Sequence, residues 1–474
     1  MYLSLEETTA LKGLRAHRAT RRPSFVVTRP SYLSIYLSIY LSIYLSISVC
    51  CRHVPTTSLS LHLFRLLKRA VLRKTQHYYS SNTSRPFLPL GEYTGVTRRL
   101  VLGIETSCDD TGAAVVDNWG RVLGEGLHSQ TSTHVELGGI LPPIAQQLHQ
   151  VNIENVVTTA IKESGVSYQD IDAIAVTVKP GLPLSLRVGL QHAKQLVLEH
   201  RKPMIPIHHM EAHALTGRMI EQVEYPFLVL LASGGHCLLA VAKDVEDFVL
   251  LGTSLDNAPG DAFDKVARSL KLKNLKECFG LSGGASVELV AQNGDPNAFS
   301  FPQVMVKSAD CNFSFAGIIS LMHRYIADCE KKQNIQGDGV ISNVADLCAS
   351  FQCGVLKHLA KRLQRALVFT EMTGLLRQEK TLILSGGVAS NQFLVKHLRK
   401  LCDQYNCRLV CPPPKLCTDN GIMIAWNGME KLVRGLGVAE DPEKVDIQAK
   451  CPLGENLTER IINTKMKLAR LKLL

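Results

Sequence analysis

From Leu100 onward, short apolar runs typical of strands alternate with longer helical patterns, and the alternation passes through two cycles. The first cycle has the strand pattern LVLGIET, a helical stretch over about 143–162 and a strand pattern over 171–178. The second opens at Phe227 with FLVLLASGGHCLLAVA and includes a long amphipathic helix predicted over 345–370. Because helices that alternate with strands cover the faces of sheets, the pattern predicts two α/β lobes that face a cleft.

Three turns marked by glycine follow apolar strand patterns: GIETSCDDTG at Gly103–Gly112, SGGH at Ser233–His236 and SGGVASN at Ser385–Asn391. Glycine lets backbone N–H groups approach phosphate oxygens closely. One such turn is weak support for a phosphate site, since glycine also serves ordinary turns. Three in this order resemble the phosphate 1, phosphate 2 and adenosine motifs of the actin/hexokinase/Hsp70 (ASKHA) superfamily, and the resemblance implies that two-lobed fold.

The segment HHMEAH places His209 and His213 four residues apart, so on a helix they share one face and can chelate one metal ion. A pair of ordinary helix histidines is the alternative. Glu211 is two positions after His209, about 200° around the helix, so it points away from such a metal and is a poor general base. This disfavours the HExxH metalloprotease motif. Asp419 in CTDNG is the candidate third ligand, and its alternative role is a helix N-cap.

Two further carboxylates are candidates for contacts with a nucleoside. Asp264 lies in DAFDK, and Glu288 follows the glycine pair Gly283 and Gly284 by four residues. Carboxylates accept hydrogen bonds from ribose hydroxyls, and the glycines permit close packing of a nucleoside. Surface carboxylates beside a loop are the alternative interpretation.

The charge of the chain is concentrated at its N-terminus. The sequence of 474 residues has 53 Lys+Arg, 42 Asp+Glu and a net charge of +11. Residues 1–99 hold 15 of the basic and 3 of the acidic residues, which leaves 38 basic and 39 acidic residues after them. The net charge is therefore not a sign of nucleic-acid binding by the folded part. A hydrophobic content of 46% excludes wholesale disorder.

The basic segment has the composition of a mitochondrial transit peptide: rich in Arg and Ser, without acidic residues from 21 to 90, and with a possible amphipathic helix over 61–74. A disordered basic arm is the alternative. Within it, residues 32–47 repeat Tyr-Leu-Ser-Ile four times, which we interpret as a translated microsatellite. The 14 cysteines include no CxxC pair, which favours reduced thiols over a zinc ribbon.

Taken together, GIETSCDDTG, HHMEAH, SGGH, APGDAFDK, FSFAG, SGGVASN and CTDNG occur in the order that is typical of the tRNA threonylcarbamoyltransferase family. The chain resembles this family over roughly residues 100–454, and the leader is similar to that of a mitochondrial member. The resemblance implies transfer of the threonylcarbamoyl group from L-threonylcarbamoyl-AMP to the exocyclic amine of adenosine 37, in tRNAs that read codons beginning with A. The products are t(6)A and AMP.

The resemblance also implies roles for individual residues. His209, His213 and Asp419 would hold one divalent cation per subunit, with iron or zinc as the fitting metals, and Asp109 matches the essential acidic residue of the first motif. The expected substrate-binding residues are Leu231, Ala232, Ser233, Gly234, Gly235, Asp264, Gly284, Glu288 and Asn391.

The implied partners are mitochondrial tRNA and L-threonylcarbamoyl-AMP made by a separate synthase. We expect a monomer or homodimer in the mitochondrial matrix, without integral membrane association. Predicted segments are a leader over 1–99, a first lobe over 100–225 to which a helix at 419–450 returns, a second lobe over 226–418 and a tail over 451–474. An ATPase or small-molecule kinase, a metalloprotease and a non-catalytic tRNA-binding scaffold are the competing functions.

Overall fold

A computed structural model describes residues 97–137 and 139–471 of the chain. The predicted leader lies outside the described residues except for its last three, so its role as a transit peptide and the origin of its repeat stay predictions. The twelve cysteines of the described part are all free thiols.

The strands of the described residues form two sheets. The first sheet has the order β3-β2-β1-β4-β5 and the second the order β10-β9-β6-β7-β8-β11. The strands are β1 (Leu100–Glu105), β2 (Asp110–Asp117), β3 (Val122–Ser129), β4 (Ala173–Lys179), β5 (Met204–His208), β6 (Phe227–Ala232), β7 (Cys237–Ala242), β8 (Phe248–Thr253), β9 (Lys380–Ser385), β10 (Cys407–Val410) and β11 (Glu455–Asn456).

The two sheets repeat one topology. In the first, β1 pairs antiparallel with β2, which pairs antiparallel with β3, while β4 and β5 continue the sheet in parallel. In the second, β6, β7 and β8 form the antiparallel part and β9 and β10 the parallel part. Short β11 adds to β8 in parallel. Each lobe is therefore the same strand arrangement built from a different stretch of sequence.

The α-helices of the described part are α1 (Thr131–Glu136), α2 (Pro142–Ser164), α3 (Pro183–His200), α4 (His209–Ile220), α5 (Pro259–Ser269), α6 (Gly283–Ala291), α7 (Ala316–Gln333), α8 (Val344–Thr373), α9 (Gln392–Gln404), α10 (Pro414–Cys417), α11 (Gly421–Val433) and α12 (Thr458–Asn463). Short 3-10 turns occupy Tyr168–Asp170, Leu272–Asn274, Lys276–Cys278, Gly387–Ser390 and Pro442–Lys444. Across residues 97–137 and 139–471, no helix has both the length and the apolar character needed to cross a membrane.

The buried side chains form three cores, which define the layers of the molecule. One core joins the first sheet to α2 and α3. A second joins the inner faces of both sheets to α4 and α11, which lie between them. A third joins the second sheet to α5, α6, α7, α8 and α9. The predicted two-lobed α/β fold is confirmed, and the two middle helices are the elements shared by both lobes.

Two glycines of the first motif serve packing between a helix and the sheet. Gly103 lies within β1, where an added Cβ would stand 2.2 Å from the backbone nitrogen of Ala425. Gly112 lies within β2, where an added Cβ would stand 2.7 Å from the nitrogen of Gly421. Side chains at these positions would push α11 away from the sheet. The interpretation of these two glycines as phosphate-approach residues is therefore wrong, because they belong to strand interiors covered by α11.

The C-terminal part also differs from the prediction. The helix expected over 419–450 ends at Val433. In the predicted tail, β11 joins the second sheet and Ile461 of α12 is buried in the core of that sheet. The remaining boundaries of the predicted lobes stay predictions.

Candidate active site

The HHMEAH segment spans the start of α4, and its first histidine caps the helix. His208 ends β5, its Nδ1 accepts a hydrogen bond from the Met210 amide at 3.1 Å, and its Nε2 lies 3.2 Å from the carbonyl oxygen of Cys451. Because Nδ1 accepts, Nε2 carries the hydrogen and donates to Cys451. His208 thus fixes the start of α4 and ties it to the C-terminal segment, a role that the sequence motif did not reveal.

His209, His213 and Asp419 converge as the sequence predicted. Their ligand atoms lie within 4.8 Å of one another. Asp419 Oδ1 is 3.0 Å from His213 Nε2 and 3.5 Å from His209 Nε2. Two ligand atoms bound to one tetrahedral metal ion at typical zinc distances are about 3.4 Å apart. The three side chains therefore fit a single divalent cation.

Asp419 is free for this role because its neighbour caps α11. The side chain of Asn420 accepts a hydrogen bond from the Met423 amide at 2.9 Å. The alternative that Asp419 is the N-cap is therefore wrong.

The two histidines of the cluster are buried and Asp419 is partly buried, and the charges of the carboxylates and imidazoles compensate one another. Burial opposes a charge on His209, yet the carboxylates of Asp419 and Glu105 raise the pKa of His209 to about 9. Burial also opposes ionisation of Asp419, but the neighbouring histidines hold its pKa below the usual range. Two ionised carboxylates beside two imidazoles favour a bound cation.

Glu211 lies outside this cluster. Its Oε2 is 3.1 Å from Lys431 Nζ of α11, and the same ammonium is 2.9 Å from Glu246 Oε1. Burial raises the pKa of Glu211, which the charge of Lys431 partly offsets. Glu211 therefore links α4 to α11 and is not placed as a base beside the metal ligands.

Asp109 lies in the turn between β1 and β2. Its carbonyl oxygen accepts a hydrogen bond from the Gln130 amide at 3.1 Å. The turn is also held by His149 of α2, whose ring nitrogens are 3.0 Å from the Cys108 carbonyl oxygen and 2.7 Å from Thr111 Oγ1. The side chain of Asp109 is half-buried. A carboxylate on a fixed turn with partial exposure is suited to contact a substrate.

Asp110, on the same turn, has a carboxyl group with a raised pKa. Burial raises the pKa of Asp110 to about 7, and the charges of Asp109, Asp419 and Glu105 add to the effect. Asp419 and Asp109 also raise the pKa of the Cys108 thiol, after burial as the main cause. The charge of Asp419, a candidate metal ligand, thus acts on the side chains of this turn.

We expect Asp110→Asn to change how stability depends on pH. The folded-state pKa of Asp110 is raised from 3.8 to about 7, so the folded protein holds a proton that the unfolded chain releases, and wild-type stability falls as pH rises through this window. The variant lacks this loss. Its free energy of unfolding relative to wild type should increase by about 2–4 kcal/mol between pH 4 and pH 8. Urea unfolding of the metal-free proteins measures this.

Asp328→Asn is the matched control for that experiment, because Asp328 is exposed on α7. The free energy of unfolding of this control, relative to wild type, should not change between pH 4 and pH 8. A flat difference for Asp110→Asn as well would contradict the raised pKa.

The other two glycine turns meet at one edge of the second sheet. Parallel strands β6 and β9 are neighbours, with Leu231 opposite Ser385, so the turns after them lie side by side. Gly386 has φ +94°, and an added Cβ there would stand 2.5 Å from the Ala232 carbonyl oxygen. No heavy atom stands within 4 Å of where a Cβ would be on Gly234 or Gly235. These two glycines leave open space at the strand ends.

The remaining predicted nucleoside contacts lie on α5, α6 and the start of α9. Asp264 lies beside the backbone of Gly283 and Gly284, whose N–H groups partly offset the pKa increase that burial and Asp261 cause. Glu288 Oε1 accepts hydrogen bonds from the Gln392 and Phe393 amides at 2.7 and 3.1 Å.

Asn391 is the N-cap of α9 and accepts from the Leu394 amide at 2.9 Å, while its Nδ2 donates to Gln352 Oε1 at 2.8 Å. Glu288 and Gln352 line a cavity of about 400 Å³. Glu288 and Asn391 therefore have structural duties in addition to any contact with a ligand.

Two residues near the candidate metal ligands were missed by sequence reasoning. Glu105 Oε2 is 3.2 Å from His209 Nδ1. The ring of His236, from the SGGH turn, has its centroid 6.4 Å from that of His209. The signal for Glu105 was a carboxylate inside a buried strand pattern, where charges are rare unless paired. For His236 the sequence offered only its place in the glycine turn.

Comparisons with known proteins identify the family of the chain. The sequence profile of the family described as TsaD, tRNA N6-adenosine threonylcarbamoyltransferase, matches residues 121–426. The "tRNA N6-adenosine threonylcarbamoyltransferase, mitochondrial" of Rattus norvegicus is 51% identical over 376 residues, which are 79% of this chain and 91% of the rat protein. The Homo sapiens protein of that name is 50% identical over the same shares. Among solved structures, T. kodakarensis HypF aligns at TM-score 0.43 and 15% identity, over 72% of this chain and 48% of its own.

Proposed function

The chain belongs to the tRNA N6-adenosine threonylcarbamoyltransferase family, and we propose that it transfers the threonylcarbamoyl group of L-threonylcarbamoyl-AMP to the N6 amine of adenosine 37 in tRNA. It is an enzyme of the transferase class. The family match does not support the ATPase, kinase, metalloprotease or scaffold alternatives. The observation that carries the proposal is the convergence of His209, His213 and Asp419, with His236 of the SGGH turn near His209 and the start of α11 packed on β2, the strand that follows the Asp109 turn.

The reaction forms a bond between N6 and the carbamoyl carbon and breaks the bond from that carbon to the phosphate oxygen of AMP. The N6 amine loses a proton, and AMP leaves. An aromatic amine is a weak nucleophile, so the reaction needs a group that orients it or accepts its proton. Asp109 is our candidate for that group, because it is half-buried on a fixed turn and the strand after this turn packs against the start of α11, next to Asp419.

The metal site is the second part of the proposal. His209 and His213 would bind the cation through Nε2 and Asp419 through Oδ1, the atoms that face one another in the structure. When bound, a divalent cation supplies Lewis acidity that stabilises negative charge on substrate oxygens. Iron or zinc fits two imidazoles and one carboxylate.

The adenylate would lie along the second sheet. We assign its phosphate to the segment Leu231–Gly235, which runs from the end of β6 into the turn where Gly234 and Gly235 are exposed. The nucleoside would lie near Asp264, Gly284, Glu288 and Asn391, of which Glu288 lines the cavity of about 400 Å³ and Asn391 contacts a second lining residue, Gln352. The ribose hydroxyls would donate hydrogen bonds to the carboxylates.

The relatives of this chain are named mitochondrial proteins, which indicates that it is mitochondrial too. Within the mitochondrion, we propose the matrix as its location. Its partners are tRNA and, in our proposal, a separate synthase that supplies L-threonylcarbamoyl-AMP. Among mitochondrial tRNAs we expect those that read codons beginning with A to be substrates, with the enzyme acting as a monomer or homodimer.

Reconstitution tests this function. The purified chain, Zn²⁺ or Fe²⁺, L-threonylcarbamoyl-AMP and a mitochondrial tRNA that reads a codon beginning with A should yield t(6)A, measured by mass spectrometry of the digested nucleosides. A tRNA with guanosine in place of adenosine 37 is the matched control and should yield none. Absence of t(6)A from the first tRNA with metal-loaded protein would contradict the proposal.

A further inference from the structure

Glu105 is a completely buried carboxylate at the end of β1. Removing a carboxylate from water is costly unless hydrogen bonds or a counter-charge compensate it. Its Oε1 accepts from the Ser107 amide at 2.5 Å, and its Oε2 accepts from Thr177 Oγ1 at 2.6 Å. Oε2 is also 3.2 Å from His209 Nδ1. In the part of the chain that the structure describes, His209 is the imidazole that contacts this carboxylate.

These contacts decide which nitrogen of His209 bears a hydrogen. An ionised carboxylate only accepts hydrogen bonds, so Nδ1 must donate. Ser107 Oγ is 3.1 Å from the same Nδ1. A hydroxyl can accept as well as donate, so this contact is also compatible with a hydrogen on Nδ1. With Nδ1 hydrogen-bonded to Glu105, Nε2 is the position left for a metal ion, and it is the nitrogen that faces Asp419.

His213 lacks such an arrangement. Its Nε2 faces Asp419, but its Nδ1 is buried and has no hydrogen-bond partner among the described residues. Only one of the two imidazoles is therefore oriented by a carboxylate behind it.

We propose that Glu105 is a positioning residue of the metal site, which holds the His209 ring so that Nε2 is presented to the cation. A carboxylate behind a ligating histidine fixes the orientation of the ring and strengthens it as a ligand. The inference rests on the metal site proposed above. Glu105 belongs to the first sheet, whereas the proposed ligands are His209 and His213 of α4 and Asp419 just before α11.

Glu105→Gln tests the inference with little change of shape. Both oxygens of Glu105 act as acceptors, toward Ser107 N–H and His209 Nδ1–H, and glutamine has only one oxygen. Its NH₂ group must then face one of these donors. We expect the variant to bind Zn²⁺ 10–100-fold more weakly than wild type. Titration of Zn²⁺ into the metal-free full-length chain, against a competing chelator, measures the affinity.

Ser107→Ala is the matched control, because it removes the other side-chain partner of His209 Nδ1 and keeps the amide that donates to Glu105. We expect the Zn²⁺ affinity of Ser107→Ala to stay within about threefold of wild type. This change is much smaller than the loss expected when the carboxylate is missing. If Glu105→Gln fails to fold, as judged by thermal unfolding of the metal-free protein, Glu105→Asp replaces it, since the shorter side chain withdraws the oxygen from Nδ1. It should lose at least about tenfold.

Nitrogen NMR of the zinc-loaded wild type gives a readout that a purely structural role of Glu105 would not require. The signals of His209 should show hydrogen on Nδ1 and metal on Nε2. Metal on Nδ1, or unchanged Zn²⁺ affinity in folded Glu105 variants, would overturn the role of Glu105. A wild type that binds no Zn²⁺ or Fe²⁺ would instead contradict the metal site itself.

Discussion

Asp419→Ala is expected to lose the bound metal and at least about 10³-fold in kcat/KM for t(6)A formation, a loss of about 4 kcal/mol of transition-state stabilisation. Asp419 is the one carboxylate among the three proposed ligands, and its Oδ1 faces both imidazoles at 3.0 and 3.5 Å. Without it, two neutral imidazoles hold the cation weakly. Metal content by elemental analysis should fall from one ion per chain to near zero.

Asn420→Ala is the matched control at the next position. It removes the N-cap of α11, whose side chain accepts from the Met423 amide, so the free energy of unfolding should fall by about 1–2 kcal/mol. The bound metal should remain. Full metal content in Asp419→Ala, or loss of metal only in Asn420→Ala, would reverse the assigned roles of ligand and cap.

These neighbours show where sequence reasoning reaches its limit. Asp and Asn are both good N-cap residues, so CTDNG alone leaves the two roles open. The fold decides between them, because α11 is packed on β1 and β2 through Gly103 and Gly112. That packing fixes the first turn of the helix, which leaves Asn420 at the cap and Asp419 facing α4.

Local patterns predicted much of the rest. The i, i+4 spacing placed His209 and His213 on one face, and the apolar runs predicted β1, β4, β6 and β7 near their observed bounds. Helices α6 and α7 were missed. The first begins with two glycines, which are poor helix formers, and depends on Ser282, whose side chain accepts from the Ala285 amide.

Contacts between distant residues could not be predicted. Glu105 and His209 are 104 positions apart, and Glu288 is 104 positions from the Gln392 amide that it accepts from. Such pairs depend on how the two sheets and the central helices are packed together. Only a buried carboxylate in a strand pattern hinted that Glu105 has a partner.

Asp109→Asn is expected to lower the rate of threonylcarbamoyl transfer by about 10²–10⁴-fold while metal and adenylate binding persist. Asp109 lies on the turn held by Gln130 and His149, and it is outside the cluster of metal ligands. An amide has nearly the same shape but cannot accept the proton of the N6 amine. Single-turnover measurement of t(6)A formation, with saturating L-threonylcarbamoyl-AMP, isolates this step.

Asp328→Asn on the exposed face of α7 should leave the rate unchanged, since that helix covers the far side of the second sheet. Zn²⁺ content and the affinity for AMP, measured by calorimetry on the same preparations, separate a chemical defect from a binding defect. If Asp109→Asn transfers at the wild-type rate, the proton acceptor lies elsewhere. If its AMP affinity falls in proportion to the rate, Asp109 acts in binding the adenylate, because a loss confined to the transition state leaves ground-state binding intact.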